Sequence, residues 1–181
     1  MSYLQQLRAQ GRWFGLAAVA IVIDQATKAW VHANMPGEPR WELIPGWLNV
    51  VYSRNPGGLF GFFSDLAPFW RGMLLTVVPL FAIAMIVHFI VLGDEENRFT
   101  RPALTLILGG ALGNLIDRIF RGEVIDFIDA QASGGLGDWL VKQFGTAHWH
   151  TFNFADSFIV CGAILLLITS FRPTRRKPID S

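Results

Sequence analysis

The amino-acid sequence predicts an all-α membrane protein with four transmembrane helices. Of its 181 residues, 52% are hydrophobic and only 16% are charged, a composition that is unusual for a soluble domain. Four apolar stretches also approach the roughly 20 residues that a helix needs to cross a bilayer. The formal net charge of +1 creates no field that would attract nucleic acid, so we expect no nucleic-acid partner.

The four predicted spans organise the chain as a single integral membrane domain. The spans cover residues 13–31, 69–92, 103–120 and 154–171, the outer segments cover 32–68 and 121–153, and the tail covers 172–181. An even number of spans leaves both termini on one side of the membrane. Eight basic residues lie on that side and five on the other, namely Arg8, Arg12, Arg98, Arg101, Arg172, Arg175, Arg176 and Lys177 against Arg40, Arg54, Arg71, Arg121 and Lys142. Because the side richer in Lys and Arg is usually cytoplasmic, we expect both termini in the cytoplasm.

The first predicted span contains an acid and a base. Asp24 and Lys28 are spaced i,i+4 with the acid first, which places them on one helix face in the favourable order. Charged side chains near the bilayer centre cost about 2.5–3.5 kcal/mol each, and the apolar region of a cleaved signal peptide does not tolerate them easily. We therefore expect a retained helix. The pair either neutralises itself and orients this helix, or allows Lys28 to tune the charge of another acid.

The third predicted span carries three polar residues on one face. Asn114, Asp117 and Arg118 are spaced i, i+3 and i+4, so their side chains are neighbours on a helix. Gly109 and Gly113 form a patch of small residues that lets another helix approach closely. A helix contact needs one polar residue at most, so three indicate a buried polar network or a wet cavity. We expect Arg118 to restrain Asp117 in this network.

The two outer segments predict small amounts of other structure. Residues 47–53 are rich in β-branched and aromatic side chains and indicate one or two short strands that end in a turn at 55–58. In the second outer segment, DWLVKQF at 138–144 is amphipathic and predicts a helix on the membrane surface. The single cysteine, Cys161, lies in an apolar run, so we expect a buried thiol.

Two acids are predicted to meet at the outer membrane interface. The third span runs outward and the fourth runs inward, so Asp126, just past the third, and Asp156, at the start of the fourth, approach the same interface. Asn153 precedes Asp156 by three residues, and on a helical turn its amide would flank the carboxylate. Two facing carboxyl groups in a poorly hydrated site share one proton, which leaves one acid and one base. Such a pair can activate water to hydrolyse a peptide bond without a covalent intermediate.

Spacing alone leaves other interpretations of these residues open. Asp126 and Asp156 are also consistent with two exposed acids that make no contact, and Asp126 with Asp129 is a rival pair at i,i+3. His148 and His150 with Asp156 would supply three metal ligands, although alternate residues in a loop are a weak signal. We expect no metal and no cofactor.

Five blocks of the sequence, read together, resemble one family. They are DQATK at 24–28, NPGGLF at 55–60, GALGNLIDR at 110–118, VIDF at 124–127 and FNFAD at 152–156. Their order and content resemble the D-Q-x-[ST]-K, N-x-G-x-x-F and G-x-x-G-N-x-x-D-R blocks and the two acid-bearing blocks of the lipoprotein signal peptidases, also called signal peptidase II. Because the blocks extend over nearly all of the chain, the resemblance is highly specific.

The resemblance implies an aspartic intramembrane protease of the bacterial cytoplasmic (inner) membrane. Such an enzyme removes the signal peptide from diacylglyceryl-modified prolipoproteins, cutting just before the lipidated cysteine, and is inhibited by globomycin-type peptides. Its fold has four transmembrane helices, a small extracytoplasmic β-cradle and a surface helix. By this match Asp126 and Asp156 form the catalytic dyad near the extracytoplasmic face. The resemblance also implies two further groups of site residues. The residues around the bound peptide and the dyad are Asn55, Gly57, Asn114, Arg118 and Asn153. The supporting charges are Asp24, Lys28 and Asp117.

The expected roles of the helical polar residues follow from that match. Asn114 and Arg118 would donate hydrogen bonds to carbonyl groups of the peptide, which lipid cannot do. The expected partners are the lipidated prolipoprotein, membrane lipid and the peptide inhibitors, and we expect a monomer.

The sequence departs from the family pattern at two places. Residues 129–150 form a longer segment between the acid blocks than is usual, and Gly134, Gly135 and Gly137 would make it flexible. Leu59 also stands where a small residue is common.

Two other classes of function are compatible with the residues. A small proton-coupled transporter would use Asp117, Asp126 and Asp156 as a relay, although the chain lacks the internal repeats usual in transporters. A protein that binds lipidated peptides without cutting them would retain affinity and form no product.

Overall fold

A computed structural model describes residues 2–56, 63, 65–93 and 98–171. In that part of the chain the helices are α1 Tyr3–Ala9, α2 Gly11–Asn34, α3 Pro68–Leu92, α4 Thr100–Arg121, α5 Gly134–Phe144 and α6 Phe154–Ser170. The strands are β1 Trp41–Ile44, β2 Leu48–Asn55 and β3 Val124–Ala130. The predicted site residue Gly57 and the predicted tail at 172–181 lie outside the described residues.

Three of the helices, α2, α3 and α4, are long and apolar enough to cross a membrane. They include the first three predicted spans with extensions of a few residues. The fourth predicted span corresponds to α6, which is also apolar but has only 17 residues. A helix of that length extends for about 26 Å, slightly less than the roughly 30 Å hydrocarbon core of a bilayer.

Helix α4 lies at the centre of the bundle and packs against α2, α3 and α6. Half of its most apolar stretch is buried, against 11% for α3, so α3 presents most of its surface to the surroundings. Glycines permit these helices to approach each other closely. A methyl group on Gly109 of α4 would come within 2.7 Å of the Ala20 side chain of α2. One on Gly162 of α6 would come within 2.6 Å of both the Ala103 carbonyl and Ile107 of α4. The prediction that Gly109 and Gly113 admit a neighbouring helix is confirmed, since Gly113 packs directly against Asp24 of α2.

The strands form one antiparallel sheet in the order β1-β2-β3. The predicted strand at 47–53 is β2, and Ser53 is paired with Asp126 of β3. Strand β3 was not predicted from its residues, because VIDFIDA shows no period that distinguishes a strand from an apolar loop. Gly122 makes the change of direction, since its positive φ of 78° ends α4 in the left-handed conformation that glycine adopts without strain.

An apolar cluster fixes the sheet to the end of α2. Val31 of α2, Met35 directly after it, and Ile125 and Phe127 of β3 form a buried core. Because alternate residues of a strand point to opposite faces, Asp126 projects from the other face of β3. The sheet therefore turns its apolar face to α2 and delivers one acid to the opposite side.

The helix predicted at 138–144 forms as part of α5, while its place on the membrane surface stays a prediction. Helix α5 keeps four large apolar side chains exposed. These are Leu136, Trp139, Val141 and Phe144. The helix begins earlier than predicted, so Gly134, Gly135 and Gly137 form its first turns instead of a flexible linker. The buried status expected for Cys161 is wrong, since its thiol lies on the exposed side of α6. An apolar run in a sequence does not show which of its side chains pack against other helices.

Candidate active site

A fully buried lysine lies between two buried acids at the contact of α2 and α4. Lys28 Nζ is 2.9 Å from Asp24 Oδ2 and 2.9 Å from Asp117 Oδ2, and none of the three side chains is exposed. The same ammonium group donates a 2.8 Å hydrogen bond to Asn114 Oδ1. These three partners use all three N–H groups of the lysine. The ion pair of the first interpretation therefore forms, and Lys28 also contacts a second acid, Asp117; that Lys28 tunes the charge of this acid stays a prediction.

Asp24 links this cluster to the beginning of α6. Its Oδ1 accepts a 2.9 Å hydrogen bond from the backbone N–H of Ala155, one of the orphan donors of the first turn of a helix. Gln25 strengthens the contact from the α2 side, because its amide donates to Asp24, to the Gly113 carbonyl and to Asp117. The charged cluster thus holds α2, α4 and α6 in one relative position.

Asn114 connects the buried cluster to Asp156. Its Oδ1 accepts from Lys28 and from Asn153 Nδ2, at 2.8 and 3.2 Å. The oxygen of the amide therefore faces two donors, so its NH₂ group must face the other way. Asn114 Nδ2 accordingly donates a 2.7 Å hydrogen bond to Asp156 Oδ1.

Asn153 bonds both of the predicted catalytic acids. It is the N-cap of α6, where its Oδ1 accepts from the backbone N–H of Asp156 at 3.0 Å and its own N–H donates to Asp156 Oδ2 at 3.2 Å. This reciprocal capping box confirms the prediction that the Asn153 amide flanks Asp156. Its Nδ2 also donates to Asp126 Oδ1 at 2.7 Å. One side chain therefore joins the acid on β3 to the acid on α6.

Asp126 is buried and lies close enough to Asp156 to feel its charge. Only 2% of the residue is exposed, and its second oxygen accepts a 2.9 Å hydrogen bond from Asn55 Nδ2. Burial raises the pKa of Asp126 to about 6, and the negative charge of Asp156 acts in the same direction, against the hydrogen bonds from Asn55 and Asn153. The two acids are thus electrostatic neighbours, and Asp126 retains a proton more readily than an ordinary aspartate.

The structure brings eight of the ten predicted site residues into one hydrogen-bonded network, which we call the acid–amide network. It comprises Asp24, Lys28, Asn55, Asn114, Asp117, Asp126, Asn153 and Asp156. Arg118 lies at its edge and donates a long 3.4 Å hydrogen bond to the Asn114 carbonyl.

The prediction that Arg118 restrains Asp117 is wrong. In the described part of the chain, Asp117 pairs with Lys28 and Arg121 and not with Arg118. Arg121 also donates to Gln25. Sequence reasoning missed Arg121 and Gln25, although Arg121 is spaced i,i+4 from Asp117, the same spacing that indicated the Asp24–Lys28 pair.

The rival pairing of Asp126 with Asp129 does not form. Positions three apart in a strand point to opposite faces, and Asp129 instead accepts from Asn49 Nδ2 at 2.9 Å and contacts His148 Nδ1 at 3.3 Å. The histidine proposed as a metal ligand with Asp156 therefore lies beside a different acid. Among the described residues, no three His, Cys, Asp or Glu side chains are grouped to hold a metal ion.

Taken together, the apolar helices and the two linked carboxyl groups define a multi-pass membrane protein with a site built for acid–base chemistry. A family model described as signal peptidase (SPase) II matches residues 16–172. The chain therefore belongs to the signal peptidase II family, which is a family of proteases.

Individual relatives agree with this assignment over most of their length. Lipoprotein signal peptidases of Solibacter usitatus and Geobacter sulfurreducens are 37% and 40% identical to this chain, and the alignments cover 91% and 87% of it and 94% and 90% of the relatives. Two solved structures described as bacterial membrane enzymes, at 1.9 and 2.3 Å resolution, superpose with TM-scores of 0.72 and 0.70. They are 29% and 27% identical to it, covering 91% and 92% of this chain and 95% of each structure.

Proposed function

We propose that this protein is an aspartic endopeptidase that removes the signal peptide from diacylglyceryl-modified prolipoproteins, cutting just before the lipidated cysteine. Membership of the signal peptidase II family supports the substrate class. One observation supports the aspartic mechanism above all others: Asn153 donates a hydrogen bond to Asp126 and, as the N-cap of α6, also bonds Asp156. That arrangement keeps two carboxyl groups together where only one of them ionises easily.

In the proposed reaction, the two acids hold one proton and one water molecule. The ionised carboxylate takes a proton from the water while the water oxygen attacks the peptide carbonyl carbon, and the protonated carboxyl donates its proton to the carbonyl oxygen. The resulting tetrahedral diol collapses as a proton passes to the peptide nitrogen and the C–N bond breaks. Water and one peptide bond are consumed, and a carboxylic acid and an amine are formed. The raised pKa of Asp126, about 6, favours the shared proton that this cycle needs.

The amides and Arg118 divide the work of orienting the acids and binding the peptide. Asn114 and Asn55 each use their NH₂ group to hold a carboxylate, so we assign them to orienting the dyad in addition to lining the site. Arg118 makes one long hydrogen bond to protein among the described residues, and a guanidinium has five N–H groups. We therefore propose that Arg118 and Gly57 both contribute hydrogen bonds to the peptide backbone.

The membrane topology of the proposal follows from the helices and the charges. We propose a single integral membrane domain in the bacterial inner membrane with four spans, in which α6 crosses where the bilayer adapts to a short helix at modest cost. Both termini would be cytoplasmic and the dyad would lie near the extracytoplasmic face. The acyl chains of the substrate would then remain in lipid beside the helices. Globomycin-type peptides would inhibit the enzyme, and a monomer would suffice because the acid–amide network is complete within one chain.

The decisive test is incubation of the purified protein in detergent with one synthetic diacylated prolipoprotein, followed by mass analysis of the products. We expect two fragments that separate immediately before the lipidated cysteine. Asp126→Asn and Asp156→Asn should each abolish cleavage while the protein stays folded, and Asp129→Asn should remain active. Near wild-type turnover in either dyad variant would disprove the mechanism.

The same experiment discriminates between the proposal and its rivals. Cleavage in detergent, where no proton gradient exists, argues against a proton-coupled transporter. Tight binding of the substrate with no product would instead identify a binder of lipidated peptides.

A further inference from the structure

The last residue of α4, Arg121, links the acid–amide network to the outside of the protein. Its Nη1 forms an ion pair with Asp117 Oδ1 and donates to Gln25 Oε1 at 3.2 Å. The Arg121 side chain is 27% exposed, whereas that of Asp117 is fully buried. On its outer side Arg121 lines a cavity of about 200 Å³, whose other lining residues are His32, Tyr52, Arg54, Glu123 and Ile125.

Among the groups joined by direct ion pairs in the buried cluster, the charges balance only if Arg121 is counted. Asp24 and Asp117 contribute two carboxylates, and Lys28 contributes one ammonium group between them. Arg121 supplies the second cation, on the Asp117 oxygen that Lys28 does not contact. Without it, a fully buried region next to the dyad would carry an uncompensated negative charge, which a low-dielectric environment strongly disfavours.

A continuous path of polar contacts connects Arg121 to a catalytic acid. Asp117 contacts Arg121 through Oδ1 and Lys28 through Oδ2. Lys28 donates to Asn114, and Asn114 donates to Asp156. Because Asn114 is oriented by Lys28, a change in where Lys28 sits is passed to the amide that holds Asp156.

We propose that Arg121 is a positioning residue of the peptidase: by balancing the charge of Asp117 it keeps Lys28 on Asn114 and thereby sets the placement and ionisation of the dyad. This inference rests on the proposed function. Among the described contacts, Arg121 does not reach the two dyad acids, so it acts on them through Asp117 and Lys28.

The direction of the effect follows from the charged groups around Asp117. Lys28 faces Asp117 from α2 and also contacts Asp24. Arg118, on the same helix as Asp117, interacts electrostatically with Asp117 and with both dyad acids, which lie on β3 and α6. Removing the Arg121 cation adds a net negative charge to this group. A nearby negative charge disfavours ionisation of further carboxyl groups, so the catalytic base would become ionised only at higher pH.

The test compares Arg121→Gln, Arg121→Lys and a matched control, Arg54→Gln. Arg54 lines the same cavity but pairs with Glu123 at the surface, so its replacement removes an equal charge from outside the acid–amide network. For Arg121→Gln we expect kcat to fall by at least about tenfold with KM changed by less than about twofold. The acid limb of its kcat/KM profile should move up by about half a pH unit or more. Arg121→Lys should recover most of both effects, and Arg54→Gln should behave as the wild type.

Two results would overturn the inference. One is an Arg121→Gln variant with the wild-type kcat and pH profile. The other is a lower melting temperature with an unchanged pH profile, which indicates a merely structural residue. Infrared titration of the protonated carboxyl bands provides a measurement that needs no substrate. If the wild type itself fails to cut prolipoprotein, the proposed function fails. The role of Arg121 is then still tested by the infrared bands: a shift between the wild type and Arg121→Gln supports it, and no shift refutes it.

Discussion

Replacing Asp126 by asparagine should abolish activity and, at neutral pH, make the protein more stable. Burial raises the pKa of this carboxyl from 3.8 to about 6, so the folded protein resists its ionisation. This difference in pKa of about two units corresponds to roughly 3 kcal/mol of free energy, at 1.36 kcal/mol per pKa unit. Asparagine cannot ionise, and the variant therefore avoids this cost.

The stability gained by replacing Asp126 with asparagine should increase as the pH rises. The folded state binds the proton of Asp126 more tightly than the unfolded state, so the stabilising effect of the protonated group is complete below about pH 4. It is lost as the pH rises through about 6. The free-energy advantage of Asp126→Asn over the wild type should consequently grow by roughly 2–3 kcal/mol between pH 4 and pH 8, or by about 4–12 °C in melting temperature for a chain of this size.

A second consequence of the substitution does not depend on pH. Both oxygens of Asp126 accept hydrogen bonds, from Asn55 and Asn153, whereas asparagine offers one oxygen and one NH₂ group. Losing one of these bonds costs about 1 kcal/mol, an offset that is the same at every pH. The way in which the stability difference between Asp126→Asn and the wild type changes with pH therefore reports the ionisation of Asp126 alone.

The assay is thermal unfolding in detergent micelles, followed by tryptophan fluorescence at intervals from pH 4 to pH 8. Asp129→Asn makes the same chemical change on the same strand, outside the hydrogen bonds of Asp126, and should retain cleavage activity. A melting-temperature difference between Asp126→Asn and the wild type that stays constant over this pH range would refute the reasoning.

Three further substitutions test the packing and the network. Gly162→Ala should lower stability by about 1–3 kcal/mol through overpacking, since a methyl group there would lie 2.6 Å from α4 atoms, while Gly15→Ala, with nothing within 4 Å, should not; equal melting temperatures would contradict this. Asn153→Ala should remove about 1 kcal/mol of helix capping and nearly all activity, whereas Asn153→Ser should regain the cap but not the activity, as unfolding and cleavage assays would reveal. Lys28→Met should destabilise by about 3–5 kcal/mol because it leaves two buried acids without their shared cation, and a wild-type melting temperature would count against the charge cluster.

The sequence predicted those parts of the protein that depend on local chemistry. Helices α2, α3 and α4 are long apolar runs, and hydrophobic length is readable from a single segment. The spacing of Asp24 with Lys28 and of Asn153 with Asp156 also determines contacts within one or two helical turns, and both were confirmed.

The features that were missed depend on partners far away in the chain. Strand β3 exists because β2 pairs with it, and its own residues give no period that distinguishes a strand from an apolar loop. The choice of Arg121 over Arg118 as the partner of Asp117 depends on where α2 places Gln25 and Lys28. The exposed position of Cys161 was missed because hydrophobicity does not distinguish a side chain that faces lipid from one that faces protein.

By itself, the sequence determined the apolar helices, the family and the identity of the residues that carry charge, because each of these is a property of short segments. Only the tertiary structure decided which of those charges meet. Lys28 reaches Asn114 across 86 positions and Asn153 reaches Asp126 across 27. In a medium without water, a buried polar group must find its partner within the protein, so helix packing decides how the acid–amide network is connected.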